Sequence, residues 1–359
     1  MRTFSCACGA RLFFENQTCL ACSRELGFLP DRLTLTALEP IADGTYQPSD
    51  GDGGYRKCGN YVEHGVCNWM VAADDPQPLC LACRLNNVIP DLDDAERREQ
   101  WATVETAKRR LVYSLLRIGL PVIPKSEDAE RGLAFDIKAD SGTEHVLTGH
   151  ADGVITLNLT EADPLSRECI RLAMNERYRT MLGHFRHEVG HYYWDRLVRD
   201  GEQLDAFRAC FGDERADYDE ALKAHYGDAP PGADTGQHIS AYAGAHPWED
   251  WAESFAHYLH ILDTLETAHH FGFTTRLPAD AAPTEHDDFD ALMDEWMELT
   301  VALNALNRSM GLEDAYPFVI SPTVRGKLEL VHQLVRRTAT GAPAADAGVG
   351  AENLVSASA

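Results

Sequence analysis

Two histidines four residues apart, with a glutamate directly after the first, constrain this chain more than any other feature: His187-Glu188-Val189-Gly190-His191. On a helix, residues i and i+4 lie on one face, a turn apart. His187 and His191 can therefore aim two imidazoles at one point. Glu188 is offset around the helix and reaches the open side of an ion held there. Two neutral nitrogens with a carboxylate beside them form the donor pattern of a catalytic zinc. The surrounding sequence supports a helix. Asp163-Pro164 offers an N-cap and a first helical residue. Apolar residues recur at helical spacing through Ile170, Ala173, Met174, Met181, Leu182, Phe185, Val189 and Leu197. The pattern predicts one long helix, with Gly183 as a weak point and Asp200-Gly201 as its stop. His184 precedes His187 by nearly one turn and reads as a supporting or packing histidine.

Two histidines leave such a zinc short of a third protein ligand. The stretch Tyr242–Leu259 can supply it. Pro247 suits a first helical turn. Glu249, Ala252, Glu253 and Ala256 then share one face, where the alanines allow close approach to another helix. Buried carboxylates need a partner or a metal. Both glutamates lie on the same stripe, so periodicity alone does not choose between them.

Eight of the ten cysteines fall in the first 83 residues. Cys6, Cys8, Cys19 and Cys22 are spaced C-x-C-x10-C-x2-C. Cys58, Cys67, Cys80 and Cys83 are spaced C-x8-C-x12-C-x2-C, and His64 is an alternative ligand to Cys58 or Cys67. Without a secretory signal segment, such pairs read as structural zinc sites rather than disulfides. Two separate sites are expected, although the eight thiols could also interleave. The apolar residues around Phe4 and Leu12–Phe14 are too few to hold a fold unaided, so metal would supply folding energy.

These features suggest a zinc ribbon at 1–38, a Gly/Asp/Pro-rich linker at 39–54, a second ribbon at 55–90, a metal-binding domain at 91–338 and a disordered tail at 339–359. Within the large domain an acid-led helix runs from about Asp91 to Ile118. Leu133–Ile137, Glu144–Leu147 and Gly153–Leu159 read as strands, the last either an edge strand that pairs with substrate or an internal one. Residues 202–236 are acidic and partly helical. Residues 287–338 are helical, with Leu292, Trp296, Leu299, Leu303 and Leu306 expected in the core.

A net charge of −25 repels phosphate backbones. The ribbon region itself carries seven Lys or Arg against ten Asp or Glu, with no basic stripe, which argues against nucleic acid as a partner. No run of eighteen apolar residues suggests a membrane span. A cytoplasmic protein is expected.

The stretches Arg186–Trp194 and His246–Glu253 carry a resemblance. His187-Glu188-x-x-His191 followed by Glu249-x-x-Ala252-Glu253-x-Phe255 resembles the gluzincins, zinc peptidases whose third ligand is a Glu on a downstream helix. It is similar to the compact mini-gluzincins and to the protease domain of anthrax lethal factor. Over roughly residues 1–335 the chain also resembles a bacterial family of zinc-binding metallopeptidases with N-terminal zinc ribbons. The link from His191 to Glu249 is longer than in the smallest gluzincins.

The resemblance implies an α+β zincin core, mostly helical, behind small ribbon modules. It implies His187, His191 and Glu249 as zinc ligands, Glu188 as general base, Tyr242 as an oxyanion donor and Glu253 as orienter of a ligand histidine. The expected cofactors are one catalytic and two structural zinc ions, and the expected substrate is a protein or peptide. The other reading is a catalytically degenerate zincin scaffold that binds proteins through its ribbons. The presence of Glu188 and Tyr242 argues against it.

Overall fold

The protein is described from a computed structural model, covering residues 2–42, 44–141, 145–173, 179–228, 236–273 and 288–341. The tail expected at 339–359 lies outside the described residues from 342 onward, as does the part of the acidic segment at 229–235.

The cysteine-rich region builds two sheets. A hairpin of β1 (Phe4–Ser5) and β2 (Arg11–Leu12) carries the first cysteine pair. A five-stranded antiparallel sheet follows, formed in chain order by β3 (Leu26–Leu29), β4 (Thr34–Pro40), β5 (Thr45–Pro48), β6 (Tyr55–Lys57) and β7 (Met70–Ala72). The stretch expected as a linker at 39–54 therefore contains the end of β4, all of β5 and the turn into β6. Its glycines and prolines punctuate strands here, because Leu38, Glu39 and Pro40 pair with Pro48, Gln47 and Tyr46. Two short helices, α1 (Gly59–Val62) and α2 (Leu81–Arg84), follow Cys58 and Cys80 directly.

The ribbons do not hang free. Phe14, Phe28 and Trp69 pack as a ring cluster, with centroids 5.0 Å apart for Phe14–Phe28 and 4.7 Å for Phe28–Trp69. Phe14 also meets Tyr113, 5.2 Å away, on the long helix α3 (Ala95–Arg117). One continuous apolar core runs from Phe4 to Val335. Inside it, Lys108 is wholly buried and pairs with Glu105 at 2.7 Å, and Asn86 and Trp101 also donate to that carboxylate. All three bonds converge on Glu105 Oε1, while Oε2 is buried without a partner among the described residues. Helix α3 begins at Asp94, whose side chain accepts from the backbone of Glu96 and Arg97, and ends at Ile118, as its acidic start and Pro121 require.

Beyond α3 lies a four-stranded sheet in the order β10 (Gly149–Ala151), β11 (Val154–Asn158), β9 (Ala134–Lys138), β8 (Asn86–Val88). β11 matches the strand expected at 153–159, but it is internal, parallel to β9 and antiparallel to β10. The edge is β10. No strand forms at 145–148.

The helix expected to run unbroken from Pro164 is two helices. α4 (Pro164–Ala173) is separate from α5 (Met181–Trp194), which has its own N-cap. Thr180 is extended and its hydroxyl accepts from the backbone N–H of Gly183. A hydroxyl capping an otherwise unbonded N–H restarts the helix at this point. A π-helical turn, Asp195–Arg199, carries α5 on toward Asp200. Next come α6 (Leu204–Phe211), α7 (Tyr218–Asp228), α8 (Pro247–His270), α9 (Phe289–Ser309) and α10 (Pro322–Thr340).

In α9, Leu292 and Trp296 are buried as expected, whereas Leu299 and Leu303 are only half-buried and Leu306 is 59% exposed. Along the C-terminal half of that helix the contacts are polar, with Asn304 and Asn307 bonding the backbone of Tyr316 and Glu313. Among the described residues no helix is long and apolar enough to cross a membrane.

Candidate metal centre

The centre forms where α5 lies against α8, and glycine sets how close they come. A Cβ on Gly190 would sit 3.0 Å from Ala252 Cα and 3.1 Å from its carbonyl oxygen. Trp251 Nε1 donates to the Gly190 carbonyl at 2.9 Å, and the rings of Tyr193 and Phe255 stack 5.4 Å apart. Farther along, Arg186 pairs with Asp263 of α8, whose carboxylate also accepts from Ser114 of α3 at 2.7 and 2.8 Å. Helix α8 starts as its sequence requires: Pro247 occupies the first turn and the His246 side chain accepts from Trp248 N–H.

This packing brings three donor atoms to one point. Glu249 Oε2 lies 3.0 Å from His187 Nε2 and 3.4 Å from His191 Nε2. All three residues are buried, yet Glu249 Oε2 has no hydrogen-bond partner among the described residues. A buried carboxylate oxygen facing two imidazole nitrogens, without a bond of its own, has the surroundings of a metal ligand. These residues fit a zinc ion.

The other expected residues surround this point. Glu253 Oε1 is 2.7 Å from His187 Nδ1, and its second oxygen accepts from Ser240 at 2.6 Å. Glu253 thus serves His187 rather than His191, whose Nδ1 has no partner among the described residues. Instead, the His191 ring lies 3.7 Å from that of Trp248 and 6.2 Å from that of His150 on the edge strand β10. Tyr242, in a 3-10 turn ahead of α8, has its ring 5.7 Å from that of His187.

Glu188 is buried, with Oε1 3.7 Å from His184 Nε2. His184 Nδ1 lies 2.6 Å from Glu161 Oε2. The supporting role read for His184 thus has partners on both sides.

The electrostatics call for positive charge at the centre. Burial disfavours the His187 imidazolium, but the carboxylates of Glu249 and Glu253 more than reverse this and raise it well above the ordinary imidazole range. Burial likewise pushes Glu253 up, and the His187 ring overcomes it, bringing the carboxyl down to about 2. A proton or a divalent cation can supply the charge that two buried carboxylates require. Burial lowers His150 to about 3, with His191 adding to the effect, so that ring is neutral.

Nothing in the residue pattern pointed to Tyr218. Its hydroxyl donates to Glu249 Oε1 at 2.6 Å from 31 residues upstream, a separation at which no periodic signal exists. Its ring packs 5.3 Å from that of His246 and 6.0 Å from that of Trp248.

The eight ribbon cysteines separate by sequence. Cys6, Cys8, Cys19 and Cys22 form one cluster and Cys58, Cys67, Cys80 and Cys83 another, the sulfurs of each within 4.8 Å of one another. All are free thiols. The sites do not interleave, and His64 is not needed: it contacts Glu63 and Trp101. Backbone N–H groups of Trp69 and Cys80 donate to Cys67 and Cys58 sulfurs at 3.4 and 3.3 Å. Such bonds favour the thiolate form that a metal needs. The second cluster is fully buried, while Cys8 of the first is exposed.

Two four-cysteine clusters and a third cluster of two histidines and a glutamate define a metal-binding protein of mixed helix and sheet, with a site compatible with a zinc peptidase. The chain belongs to the family described as "putative zinc-binding metallo-peptidase", whose model matches residues 97–334. A zinc-ribbon domain model matches residues 3–94. Uncharacterized proteins of Mycobacterium tuberculosis and Mycobacterium bovis are similar to it, each 42% identical over 342 residues, covering 94% of this chain and 96% of the relative. No solved structure matches.

Proposed function

We propose that this chain is a zinc-dependent peptidase of gluzincin-like zincin architecture, hydrolysing peptide bonds in a protein or peptide substrate. The observation that carries the reading is the convergence of His187 Nε2, His191 Nε2 and the unpartnered Glu249 Oε2. When bound, zinc supplies Lewis acidity, polarising a carbonyl and acidifying a water. Glu188 takes the proton of the attacking water and passes it to the leaving amine. Glu253 fixes the tautomer and orientation of the His187 ring. β10, the sheet edge beside His191, is the strand along which an extended substrate would pair. The direct test is cleavage of a peptide library by metal-loaded protein. No cleavage of any member would leave a binding scaffold as the better account.

Tyr242 is the proposed donor to the developing oxyanion. Tyr242→Phe should lower turnover by roughly 10²–10³, the size of one lost oxyanion donor, with zinc content unchanged. An unchanged rate would move the role elsewhere, with His238 next in line. His246 is poorly suited to it: Nε2 faces the Ala216 carbonyl at 3.1 Å and Nδ1 accepts from Trp248 N–H.

Three zinc ions per chain are expected: one in each cysteine cluster and one at the histidine–glutamate centre. A chelator should remove the last of these first, because a catalytic site keeps an open position and a four-cysteine site does not. The fully buried cluster of Cys58, Cys67, Cys80 and Cys83 should release its ion last. Elemental analysis showing one zinc in folded protein would refute the two-ribbon reading.

A further inference from the structure

We infer that Tyr218 is a positioning residue that restricts Glu249 to one oxygen on the metal; this rests on the zinc reading above. The two oxygens of Glu249 have different surroundings. Oε2 faces the two imidazole nitrogens. Oε1 accepts the Tyr218 hydroxyl at 2.6 Å. A bond this short from a neutral phenol to a carboxylate is charge-assisted and among the stronger hydrogen bonds a protein makes.

The consequence concerns coordination number. A carboxylate can bind a metal through one oxygen or two. A catalytic zinc works with three protein ligands and one open position. If both oxygens of Glu249 turned to the metal, the second would crowd that position. Tyr218 occupies Oε1 and prevents this.

Tyr218 is fixed from outside the centre. It opens α7, and its ring packs on His246 and Trp248, the residues that begin α8. His246 Nε2 lies 3.1 Å from the Ala216 carbonyl. The segment that carries Tyr218 is thereby tied to the helix turn that carries Glu249.

The test needs no substrate, which separates it from the peptidase reading. In the full chain, with both cysteine clusters left zinc-filled, the third site is stripped by chelator and reloaded with cobalt(II). Tyr218→Phe keeps the ring packing and removes the hydroxyl. The cobalt d–d absorption should weaken in this variant, as it does when coordination number rises. Zinc affinity at the site should fall by about 10–100-fold, as for other losses of a group supporting a ligand. Tyr242→Phe should leave both unchanged. A Tyr218→Phe protein with wild-type cobalt spectrum and zinc affinity overturns the inference, whatever its turnover. A wild-type protein that takes up no third metal ends the zinc reading and this inference together.

A second measurement needs no variant. The infrared difference spectrum of wild-type protein on filling the third site should show the wide carboxylate splitting of one-oxygen binding. A narrow splitting would also overturn the inference.

Discussion

Glu188→Gln is expected to bind the same three zinc ions as the parent chain, keep its fold and lose roughly 10²–10⁴ in turnover, the range for a missing general acid–base. Glutamine preserves the shape of a buried side chain and can still face His184, 3.7 Å away. It cannot accept and return a proton. Zinc content should be indifferent, because Glu188 is not among the three groups whose donor atoms converge. The measurement is the cleavage rate of the best library peptide at matched zinc content. Near-normal turnover by pure variant would end the mechanism. The same variant is the control for finding natural substrates, since termini that appear only with active enzyme mark cleavage sites.

Glu249→Ala and Glu253→Ala should differ sharply, although the two residues sit one turn apart on one helix face. Glu249 is 1% exposed and points an unpartnered oxygen at both imidazoles. Removing it takes away the third donor and leaves two histidines, so the third zinc should be lost while the ribbon ions stay. Glu253 bonds the far nitrogen of His187, at 2.7 Å, and the Ser240 hydroxyl. Its loss frees the ring to turn and leaves a buried Nδ1 unsatisfied, but all three ligands survive. Zinc affinity or activity should then drop by about 10–100-fold. Zinc content of each purified variant, with competition against a calibrated chelator, decides. Retention of the third zinc by Glu249→Ala together with its loss from Glu253→Ala would reverse the assignment.

The sequence alone was informative wherever the determining physics is local. The i, i+4 spacing of His187 and His191 puts both rings on one face of any helix they occupy. Pro247 starts α8 because its ring presets a helical φ and it lacks an N–H that the first turn would leave unbonded. Asp94 caps α3 because its carboxylate accepts the unbonded N–H groups of the first turn. Cys19 with Cys22, and Cys80 with Cys83, each meet in one cluster because two residues between thiols bring them together, whereas the fold decided that the eight do not interleave.

Where contacts are distant in sequence, local rules had less hold. The break before α5 depends on Thr180 capping Gly183 against a competing apolar periodicity that continues across it. The glycines and prolines at 39–54 suit a linker or the turns of a sheet equally, and the partners on β4 and β6 make them turns. Leu306 keeps helical spacing with Leu292 and Trp296, yet none of the described residues covers it and it is left exposed.

At the centre, the sequence determined the kinds of ligand and two of their positions. Periodicity left Glu249 and Glu253 equivalent and only the resemblance singled out Glu249; the packing of α5 on α8 across Gly190 and Ala252 brings Glu249 to the histidines and sets Glu253 behind His187. Only the tertiary structure brought in Tyr218, because a hydrogen bond across 31 residues and two helices leaves no periodic trace in the chain that makes it.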